Sequence, residues 1–514
     1  MDQYYVLQIL KDSHQQARGI LAVNKEEIEG NSLLRVEDLE DSIYIFQANF
    51  IVLATGGPSG MYEKKVYPPS QWGATSLAIL AGAKLQNLTE SQYGLASLKF
   101  RWNVSGTYQQ VLPRYISVAH DQDPADPQTE CVEFLREYFP SNSKLFTATF
   151  LKGYQWPFNV ERIQDYGSSL IDLAVHIETL VNNRRVFLDF RQNPADFSWD
   201  QLEKDAKQYL ENSGEVQLLP IERLLHMNPK AIDLYHSHGI DLWKEPLEIG
   251  LCAQHCNGGV TGDIWWQTSI SRLFAIGEVN GSHGIHRPGG SALNSGQVGA
   301  IRVSEKIAFG KWNSLATDQN IVKELKEKKH ALIALLSQRI TSDAQTDIFI
   351  SNLLLKIQTR MMRVGSYLRE LSQITPVLEE VKQDIQEFFS IIVIQSGNQV
   401  IPMWKAYDAL ITQFTFLTAY RDYLMHGGGS RGSFAVISHE ETTDSFIPHS
   451  KLKQFRIRKN NPELNTKIQE ICLRESESNN WLFSIDWIDR RPLSVSQGWF
   501  EAVWKRFDEK TIFF

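Results

Sequence analysis

The stretch SRLFAIGEVNGSHGIHRPGGSALNSGQVGAIRVSEKIA, residues 271–308, leads from an apolar strand through a glycine-rich loop into a helix of small residues. Glu278 follows the strand, and Gly289 and Gly290 precede the helix, which starts at Ser291. The first turn of such a helix has backbone N–H groups without intrahelical partners and carries the positive end of the helix dipole. In open α/β sheets, anionic ligands and electron-accepting rings bind at such a position. Taken alone, the stretch fits a plain glycine-rich connection equally well.

A second buried strand is predicted within ANFIVLATGG, residues 48–57. Its apolar run FIVLA is continuous, which is typical of a strand covered on both faces in a parallel sheet. The following segment GATSLAILAGA, residues 73–83, predicts a helix whose small residues suit close packing against a sheet or a cofactor. Before this strand, YYVLQIL, ARGILAVN and SIYIFQ alternate between apolar and polar residues, which predicts a small antiparallel meander.

Composition indicates a globular protein of two to four domains, because 42% of the 514 residues are hydrophobic and 22% are charged. The net charge of -8 gives no reason to expect a nucleic-acid partner. The first residues carry charges, and no segment approaches the roughly 18 uncharged apolar residues that a membrane span requires. We therefore expect a cytoplasmic protein without a transmembrane segment.

The four cysteines, at positions 131, 252, 256 and 472, are too few and too scattered for a disulfide framework. The segment CAQHC, residues 252–256, resembles half of a zinc site. No second cysteine or histidine pair stands at ligand spacing, so ordinary packing is favoured over zinc and no metal is predicted.

Residues between about Leu95 and Glu248 have an irregular, aromatic texture that indicates a separate domain. It contains one clear helix, from about Ser168 to Asn182, followed by the strand RRVFLDF. Its aromatic residues either line a pocket for a bulky ligand or, as is more common, form the core: Trp102, Tyr108, Tyr115, Tyr154, Trp156 and Phe158. From about residue 318 to residue 389 the periodicity is helical, and Pro376 is expected to break it. The tail after Ser433 mixes strands with turns.

Two glycine-terminated strands separated by an inserted domain resemble the arrangement in the flavoprotein subunits of fumarate reductase and succinate dehydrogenase and in L-aspartate oxidases. ANFIVLATGGPSGMYE resembles that family's strand before its capping domain, and GIDLWKEPLEIGLCAQHCNGGVTGD resembles the approach to its HYxMGG motif. GEVNGSHGIHRPGGSAL resembles its GE…HGANRLGGNSL segment, with two residues fewer between the glutamate and the arginine. KIQTRMMRVGSYLREL, GGGSRGSF and QGWFEAVW are similar to parts of its C-terminal regions. The order of these segments is more specific than any one of them.

The resemblance implies an α/β fold with an FAD-binding domain of the two-dinucleotide-fold type, an inserted α+β capping domain and a C-terminal helical domain. The implied boundaries are residues 1–94 and 249–312 for the two parts of the FAD-binding domain, 95–248 for the capping domain, 313–432 for the helical domain and 433–514 for the C-terminal region.

Carried over position by position, the resemblance also implies the site. His255 and Arg287 would hold a substrate carboxylate, for which a guanidinium fork and an imidazole donor are suited. Each has a structural alternative: His255 as a core histidine, and Arg287 as a cap on the neighbouring strand. The residues that would contact the FAD are Thr55, Gly56, Gly57, Glu278, Ser291, Ala292 and Leu293.

Three positions depart from the family's pattern. Ser168 stands where the family has its proton-donating arginine, Gly94 replaces the histidine of FHPT, and Gly73 replaces the aspartate of TGDG. Reduction of an alkene needs a proton source opposite the hydride. We therefore expect a small, carboxylate-bearing substrate other than fumarate or succinate.

The sequence also starts with the meander that should follow the family's GxGxxG turn, which holds the pyrophosphate. The glycines at 427, 429 and 432 match this pattern but lie between a helical and a strand-like segment, the reverse of the required order. We expect a βαβ unit of at least roughly 30 residues to come from outside these residues, and a second polypeptide is one source for it. The predicted function is an FAD-dependent oxidoreductase, or its C-terminal part; the alternative is a non-catalytic remnant or interaction subunit that binds no flavin by itself.

Overall fold

The computed structural model describes residues 3–126, 128–313, 319–341, 346–474, 481–490 and 506. The segment QGWFEAVW, residues 497–504, lies outside the described residues. The strands are β1 (Tyr4–Lys11), β2 (Ala17–Asn24), β3 (Ile43–Gln47), β4 (Ile51–Leu53), β5 (Leu85–Gln86), β6 (Ser91–Ser97), β7 (Trp102–Asn103), β8 (Arg114–Ala119), β9 (Arg184–Asp189), β10 (Leu247–Cys256), β11 (Gly259–Val260), β12 (Leu273–Ala275), β13 (Leu368–Arg369), β14 (Ala435–Ile437), β15 (Ser445–Phe446), β16 (Ile457–Arg458), β17 (Lys467–Arg474) and β18 (Leu482–Asp489).

The helices are α1 (Lys25–Glu29), α2 (Val36–Ser42), α3 (Thr75–Leu80), α4 (Thr107–Gln110), α5 (Asn142–Lys152), α6 (Ser169–His176), α7 (Lys204–Ser213), α8 (Pro220–Met227), α9 (Pro229–Ser237), α10 (Ser291–Phe309), α11 (Gln319–Ser337), α12 (Thr346–Val364), α13 (Leu371–Ile391) and α14 (Val400–Met425). This is an α/β fold with a helical C-terminal part, as predicted.

The N-terminal sheet is the antiparallel meander that the alternating sequence predicts, in the order β1-β2-β3. Sequence analysis did not anticipate α1 and α2, which lie between β2 and β3. The side chain of Asn24 caps α1, since its Oδ1 accepts a hydrogen bond of 3.1 Å from the N–H of Glu26. The capped turns leave the register of β2 and β3 intact.

Strands β4 and β12 form a parallel pair, with Leu273 opposite Ile51 and Ala275 opposite Leu53. This confirms the parallel pairing of the run FIVLA, but the prediction that it is covered on both faces is wrong. Leu53 packs in a cluster with α3 and β12, whereas Val52 points to the other face and is 40% exposed. The alternation of side chains along a strand explains the difference, because Val52 and Leu53 point to opposite faces and only the Leu53 side chain is fully covered.

Helix α3 is shorter than the predicted segment 73–83. Gly73 and Ala74 both have φ of 117°, and Gly82 has φ of 82°, so the backbone leaves the helical region at each end. A Cβ on Gly73 would also lie 2.9 Å from the Cα of Pro58. Position 73 therefore requires glycine.

The central sheet has five strands in the order β7-β6-β10-β9-β8. Strands β6 and β10 pair antiparallel, with Gln92 opposite His255 and Gly94 opposite Cys252, and the register shifts between Ala253 and His255. The predicted strand RRVFLDF is β9. The predicted helix from about residue 168 consists of α6, which continues as a π-helix over Ile177–Val181.

The aromatic residues of this region divide into three groups. Tyr108, Tyr115 and Phe158 are buried in the core, as the preferred alternative predicted. Trp102 and Tyr154 are exposed. Trp156 lies against Gly94 on the central sheet.

The C-terminal helices pack around α14, whose 26 residues include twenty that are buried. The prediction that Pro376 breaks the helical stretch is wrong, because Pro376 lies inside α13. A missing backbone hydrogen bond is tolerated there because the apolar stripe of α13, which includes Ile374 and Val381, is buried against α14. The chain breaks instead between α12 and α13, at β13.

The predicted mixture of strands and turns after Ser433 is confirmed by β14 to β18. The glycine segment 427–432 joins α14 to β14, so the helix-to-strand order that argued against a dinucleotide-binding turn is also confirmed. Among the described residues, no helix is both long enough and apolar enough to cross a membrane.

Candidate functional site

The carboxyl ends of β4 and β12 and the N-terminus of α10 meet at a glycine-rich edge. Gly290 precedes α10 in the left-handed conformation with φ of 79°. A Cβ added to Gly277, Gly289 or Gly290 would meet nothing within 4 Å, so the backbone borders open space. Leu293, in the first turn, is 72% exposed. This edge presents backbone groups rather than side chains to its surroundings.

The first turn of α10 contains the predicted cofactor contacts at Ser291, Ala292 and Leu293. The hydroxyl of Ser291 donates to the carbonyl of Pro288 over 2.8 Å. Within the described part of the chain, the N–H groups of Ala292 and Leu293 have no backbone acceptor outside the helix. Such N–H groups at a helix N-terminus attract negative charge.

Glu278 is held at the end of β12 by two donors. The hydroxyl of Tyr67 donates to its carboxylate, and the N–H of Cys256 donates over 2.8 Å. Burial raises the pKa of Glu278 to about 7, against the opposing effect of these hydrogen bonds. A Cβ on Gly57 would lie 2.3 Å from its Oε1, so glycine permits this approach.

The turn after β4 contains the other predicted cofactor contacts. Gly56 has φ of 71°, a conformation that favours glycine. The Oγ1 of Thr55 is buried and has no hydrogen-bond partner. The structure thus brings Thr55, Gly56, Gly57 and Glu278 to the same edge.

His255 lies on β10 and is 7% exposed. The amide of Asn257 donates to the carbonyl of Gly284 over 3.0 Å, which leaves its Oδ1 to accept from the Nδ1 of His255 at 3.1 Å. Burial, together with the nearby Arg287 and His283, lowers the pKa of His255 to about 3, so the ring is neutral at pH 7. In this tautomer, Nε2 is an acceptor, and it is buried without a partner.

His283 lies beside His255, with ring centroids 4.9 Å apart and the planes nearly perpendicular. Both ring nitrogens of His283 are buried without a hydrogen-bond partner. A buried polar atom that the protein does not satisfy is costly unless a water molecule or a ligand satisfies it. The two imidazoles therefore form a polar pair with unused hydrogen-bonding capacity.

Arg287 is oriented by a reciprocal pair of hydrogen bonds with Gln92. Its Nε donates to the Gln92 Oε1 over 2.8 Å, and the Gln92 Nε2 donates to the Arg287 carbonyl over 3.1 Å. Gln92 stands opposite His255 in the sheet, so the register brings Arg287 to the histidine pair. Arg287 makes no ion pair among the residues that the structure describes.

Two of the three departures contact neighbouring residues of one loop: Gly94, on β6, lies against Trp156, and Ser168, directly before α6, bonds to Gln155. A Cβ on Gly94 would be 2.4 Å from the Nε1 of Trp156, so the indole fills the space beside position 94. This Nε1 is buried without a partner. Ser168 is fully buried and donates to the Oε1 of Gln155 over 2.7 Å. Neither position offers a charged proton donor.

His255 and Arg287 were identified from the sequence, and Trp156 was named there as a pocket-lining or core residue, but its contact with Gly94 was not predicted and Gln92 and His283 were missed. The HG pair at residues 283–284 in the loop was a visible signal for His283. The sequence around Gln92 and Trp156 does not indicate a role at the site. Gln92 is positioned by strand register, and Trp156 by a contact with a distant part of the chain. The thiols of Cys252 and Cys256 are buried, and burial raises their pKa values. In the described ranges, no three His, Cys, Asp or Glu side chains are grouped as metal ligands.

The known proteins that this chain matches in sequence include a fumarate reductase subunit, an FAD-dependent oxidoreductase and L-aspartate oxidases. The chain is 33% identical over 134 residues to one subunit of a fumarate reductase (CoM/CoB) from Methanothermobacter marburgensis, covering 25% of this chain and 23% of the relative. It is 38% identical over 94 residues to an uncharacterised FAD-dependent oxidoreductase from Methanocaldococcus jannaschii, covering 17% of each. It is 25% identical over 297 residues to L-aspartate oxidase 2 from Ralstonia nicotianae, covering 57% of this chain and 42% of the relative. No family model matches the chain.

The matched regions therefore span less than half the length of these relatives. A structure of quinol-fumarate reductase with menaquinol molecules superposes with a TM-score of 0.58 at 16% identity, covering 96% of this chain and 73% of that one. This likeness shows the fold. Together with the sequence matches, it confirms the predicted resemblance to fumarate reductase flavoproteins and L-aspartate oxidases.

Proposed function

We propose that this chain, a homologue of fumarate reductase subunits and L-aspartate oxidases, carries the ring-binding and substrate-binding part of an FAD-dependent oxidoreductase. The observation that carries the proposal is the position of Arg287, His255 and His283 beside the open N-terminus of α10. Their unused hydrogen-bonding groups form one polar cluster next to a backbone edge that suits an electron-accepting ring.

The residues at this edge fit the ring end of FAD. No atom of the described residues lies within 4 Å of a Cβ placed on Gly277, Gly289 or Gly290, and the N–H groups of Ala292 and Leu293 have no backbone acceptor outside the helix in that part of the chain. Thr55, Gly56, Gly57, Glu278 and Ser291 complete the set that would hold the cofactor. FAD supplies hydride transfer at its isoalloxazine ring when it is bound.

Arg287 and His255 would bind the substrate. The guanidinium is oriented by Gln92. It feels the charge of Glu278 but makes no ion pair among the described residues, so it can form a fork with a substrate carboxylate. The Nε2 of His255 accepts a hydrogen bond from a substrate hydroxyl or amine, because Asn257 fixes the tautomer. These two side chains orient the substrate and do not themselves supply a strong acid.

The proposed substrate is a small carboxylate other than fumarate or succinate. Ser168 is engaged by Gln155, and Trp156 fills the space beside Gly94, so both positions that would supply or support a proton donor are neutral. The comparisons do not decide between substrates, since one of the relatives belongs to a fumarate reductase. The cytoplasmic location also remains a prediction.

The outer edge of β4 would accept a further strand. In a parallel pair, alternate residues bond to one neighbour, so the N–H and C=O of Val52 point away from β12. No strand in the described part of the chain pairs with that edge. On the adjoining helix, Val298 and Ile301 are exposed apolar residues one turn apart. We propose that a βα segment beyond residues 1–514, on this or another polypeptide, covers these surfaces and binds the adenosine half of FAD.

The visible absorption spectrum after incubation with FAD and gel filtration tests both proposals. We expect little retained flavin with the chain alone, and close to one flavin per chain after mixing with the product of the coding sequence directly upstream. Gly289→Val adds a side chain in front of α10 where no protein atom stands, so it should lower retention. Ala308→Val, at an exposed position on the same helix, is the control.

Stoichiometric flavin on the chain alone would overturn the need for a completing segment. No flavin under either condition would contradict the flavin proposal and favour the alternative of a non-catalytic interaction subunit. The relationship to an FAD-dependent oxidoreductase and to L-aspartate oxidases does not favour that alternative.

A further inference from the structure

A cavity of about 680 Å³ lies at the junction of the central sheet, the C-terminal helices and the last strands. We call it the junction cavity. It is bordered by the loop at Glu63 and Lys64, the π-helix after α6, the end of α12 and the segment around Phe455. None of Arg287, His255, His283, Gln92 or Trp156 lines it. Its volume is that of a pocket for a small organic molecule.

The walls of the junction cavity are largely apolar, and two of them are unusually exposed. The π-helix Ile177–Val181 turns Leu180 and Val181 toward the opening, where they are 54% and 57% exposed. Across from them lie Met362, Ile437 and Phe455. Short π-helical turns are rare and are found preferentially at functional sites. An apolar ligand body would cover side chains that water now contacts.

Two cations border the cavity without a partner. The side chains of Lys64 and Arg363 make no ion pair and no side-chain hydrogen bond among the described residues. Of the two carboxylates at the cavity, Glu370 is held by His439 over 2.8 Å and by Gln373 over 2.7 Å. Glu63 is exposed at the rim and pairs with neither cation. With Arg369, which also lines the cavity, three cations face two carboxylates, so the net charge of the lining is positive.

A neutral polar pair lies between the cations and the apolar wall. The Nδ1 of His176 is 2.5 Å from the hydroxyl of Tyr367. Burial, together with the nearby Lys64, lowers the pKa of His176 to about 4, so the ring carries no charge at pH 7. Phe455 meets the ring edge-on at a centroid distance of 5.6 Å. This pair makes part of the lining polar without adding positive charge.

We propose that the junction cavity is a second ligand site, which binds an organic monocarboxylate with an apolar body. The carboxylate lies at Lys64 and Arg363, and the hydrocarbon part lies against Leu180, Val181 and Phe455. The site is independent of the proposed flavin chemistry, because it needs neither the cofactor nor Arg287.

Isothermal titration of the full chain, without flavin, tests the proposal. The probe is 2-naphthoate, and the control ligand is 2-naphthamide, which has the same shape but no charge. We expect 2-naphthoate to bind about tenfold more tightly than the amide, as is typical for a charge-assisted contact. Equal affinity for the two, or no binding of 2-naphthoate at millimolar concentration, overturns the proposal.

Three substitutions locate the site. Arg363→Gln and Lys64→Gln should each weaken 2-naphthoate binding by about tenfold and leave the amide unaffected. Lys230→Gln, at an exposed lysine of α9 outside the cavity lining, should change neither affinity. Val181→Trp should abolish binding of both ligands by filling the cavity from an exposed position. Unchanged affinity in Arg363→Gln and Val181→Trp would place the probe elsewhere and overturn the proposal.

Discussion

Helices α14 and α10 show two different relations between sequence and surroundings. In α14, twenty of 26 residues are buried, and even its polar Gln413 donates to the carbonyl of Ile357 over 2.6 Å. In α10, only Gly299 and Val303 of 19 residues are buried. The described chain therefore explains the sequence of α14, whereas the apolar and glycine residues of α10 indicate contacts with something else. A helix that its own chain leaves uncovered is where binding partners are to be sought.

The largest loss of stability is expected from a substitution that creates a cavity beside α14. Leu410 is fully buried, so Leu410→Ala should lower the free energy of unfolding by about 2–5 kcal/mol. Urea denaturation measures this loss. Ile301→Ala on α10 is the matched control and should cost far less; similar losses in both variants would remove the contrast between the helices.

Arg287→Ala should affect chemistry more than folding. Loss of a partly buried loop arginine without an ion pair is expected to change the free energy of unfolding by about 0–1 kcal/mol. Substrate binding or flavin reduction in the reconstituted protein should lose about 1.5–3 kcal/mol, the cost of a hydrogen bond to a charged group. Stopped-flow flavin reduction and thermal unfolding, measured together, separate the two. Arg35→Ala, at an exposed arginine paired with Asp38, is the control, and a large stability loss with unchanged reduction would make Arg287 a structural brace.

The raised pKa of Glu278 predicts how the free energy of unfolding depends on pH. Its pKa is raised to about 7 in the folded state from 4.5, so the folded protein binds this proton more tightly than the unfolded chain does. Stability should therefore fall as pH rises from about 4.5 to about 7, by about 3 kcal/mol from this group. Glu278→Gln should flatten the difference in unfolding free energy between pH 5 and pH 8, whereas Glu37→Gln, at an exposed carboxylate, should not. A wild-type difference retained in Glu278→Gln would contradict this assignment.

The smallest effect is expected on the outer face of α10. Ile301 is 54% exposed, so Ile301→Ser should change the stability of the isolated chain by at most about 0.5 kcal/mol. The same substitution should reduce flavin retention when the proposed completing segment is present. Gel filtration with absorption at flavin wavelengths measures this retention. A large stability loss in the chain alone would mean that the face of α10 is already covered.

Local patterns predicted much of the fold. Alternation in β1, β2 and β3 predicted the meander, and the continuous run in β4 predicted a parallel pair. The same reasoning failed for Pro376, because burial of α13 against α14 outweighs a local preference. It failed also for coverage of Val52, which depends on neighbours rather than on the strand itself. The predicted domain boundaries remain predictions.

The site was predictable only where a motif contained its residues. His255 and Arg287 were named from segments that resemble family motifs, and the structure places them at one edge. Gln92 and Arg287 are 195 positions apart in the sequence. The register of β6 against β10 places Gln92 opposite His255, where it bonds to Arg287. Trp156 reaches Gly94 across a loop, and no spacing rule encodes that contact. Whether these residues bind a flavin and a substrate stays a prediction.

The contact between Gly94 and Trp156 constrains how this protein can change by mutation. A histidine at position 94 would collide with the indole, whose Nε1 is 2.4 Å from the position of a Cβ. A smaller residue at position 156 would leave a void beside a glycine. A histidine at position 94 alone, or a smaller residue at position 156 alone, is expected to destabilise the protein. Only the two replacements together restore close packing. The two positions are therefore expected to evolve as a pair, and a library designed to alter the substrate range has to vary them together.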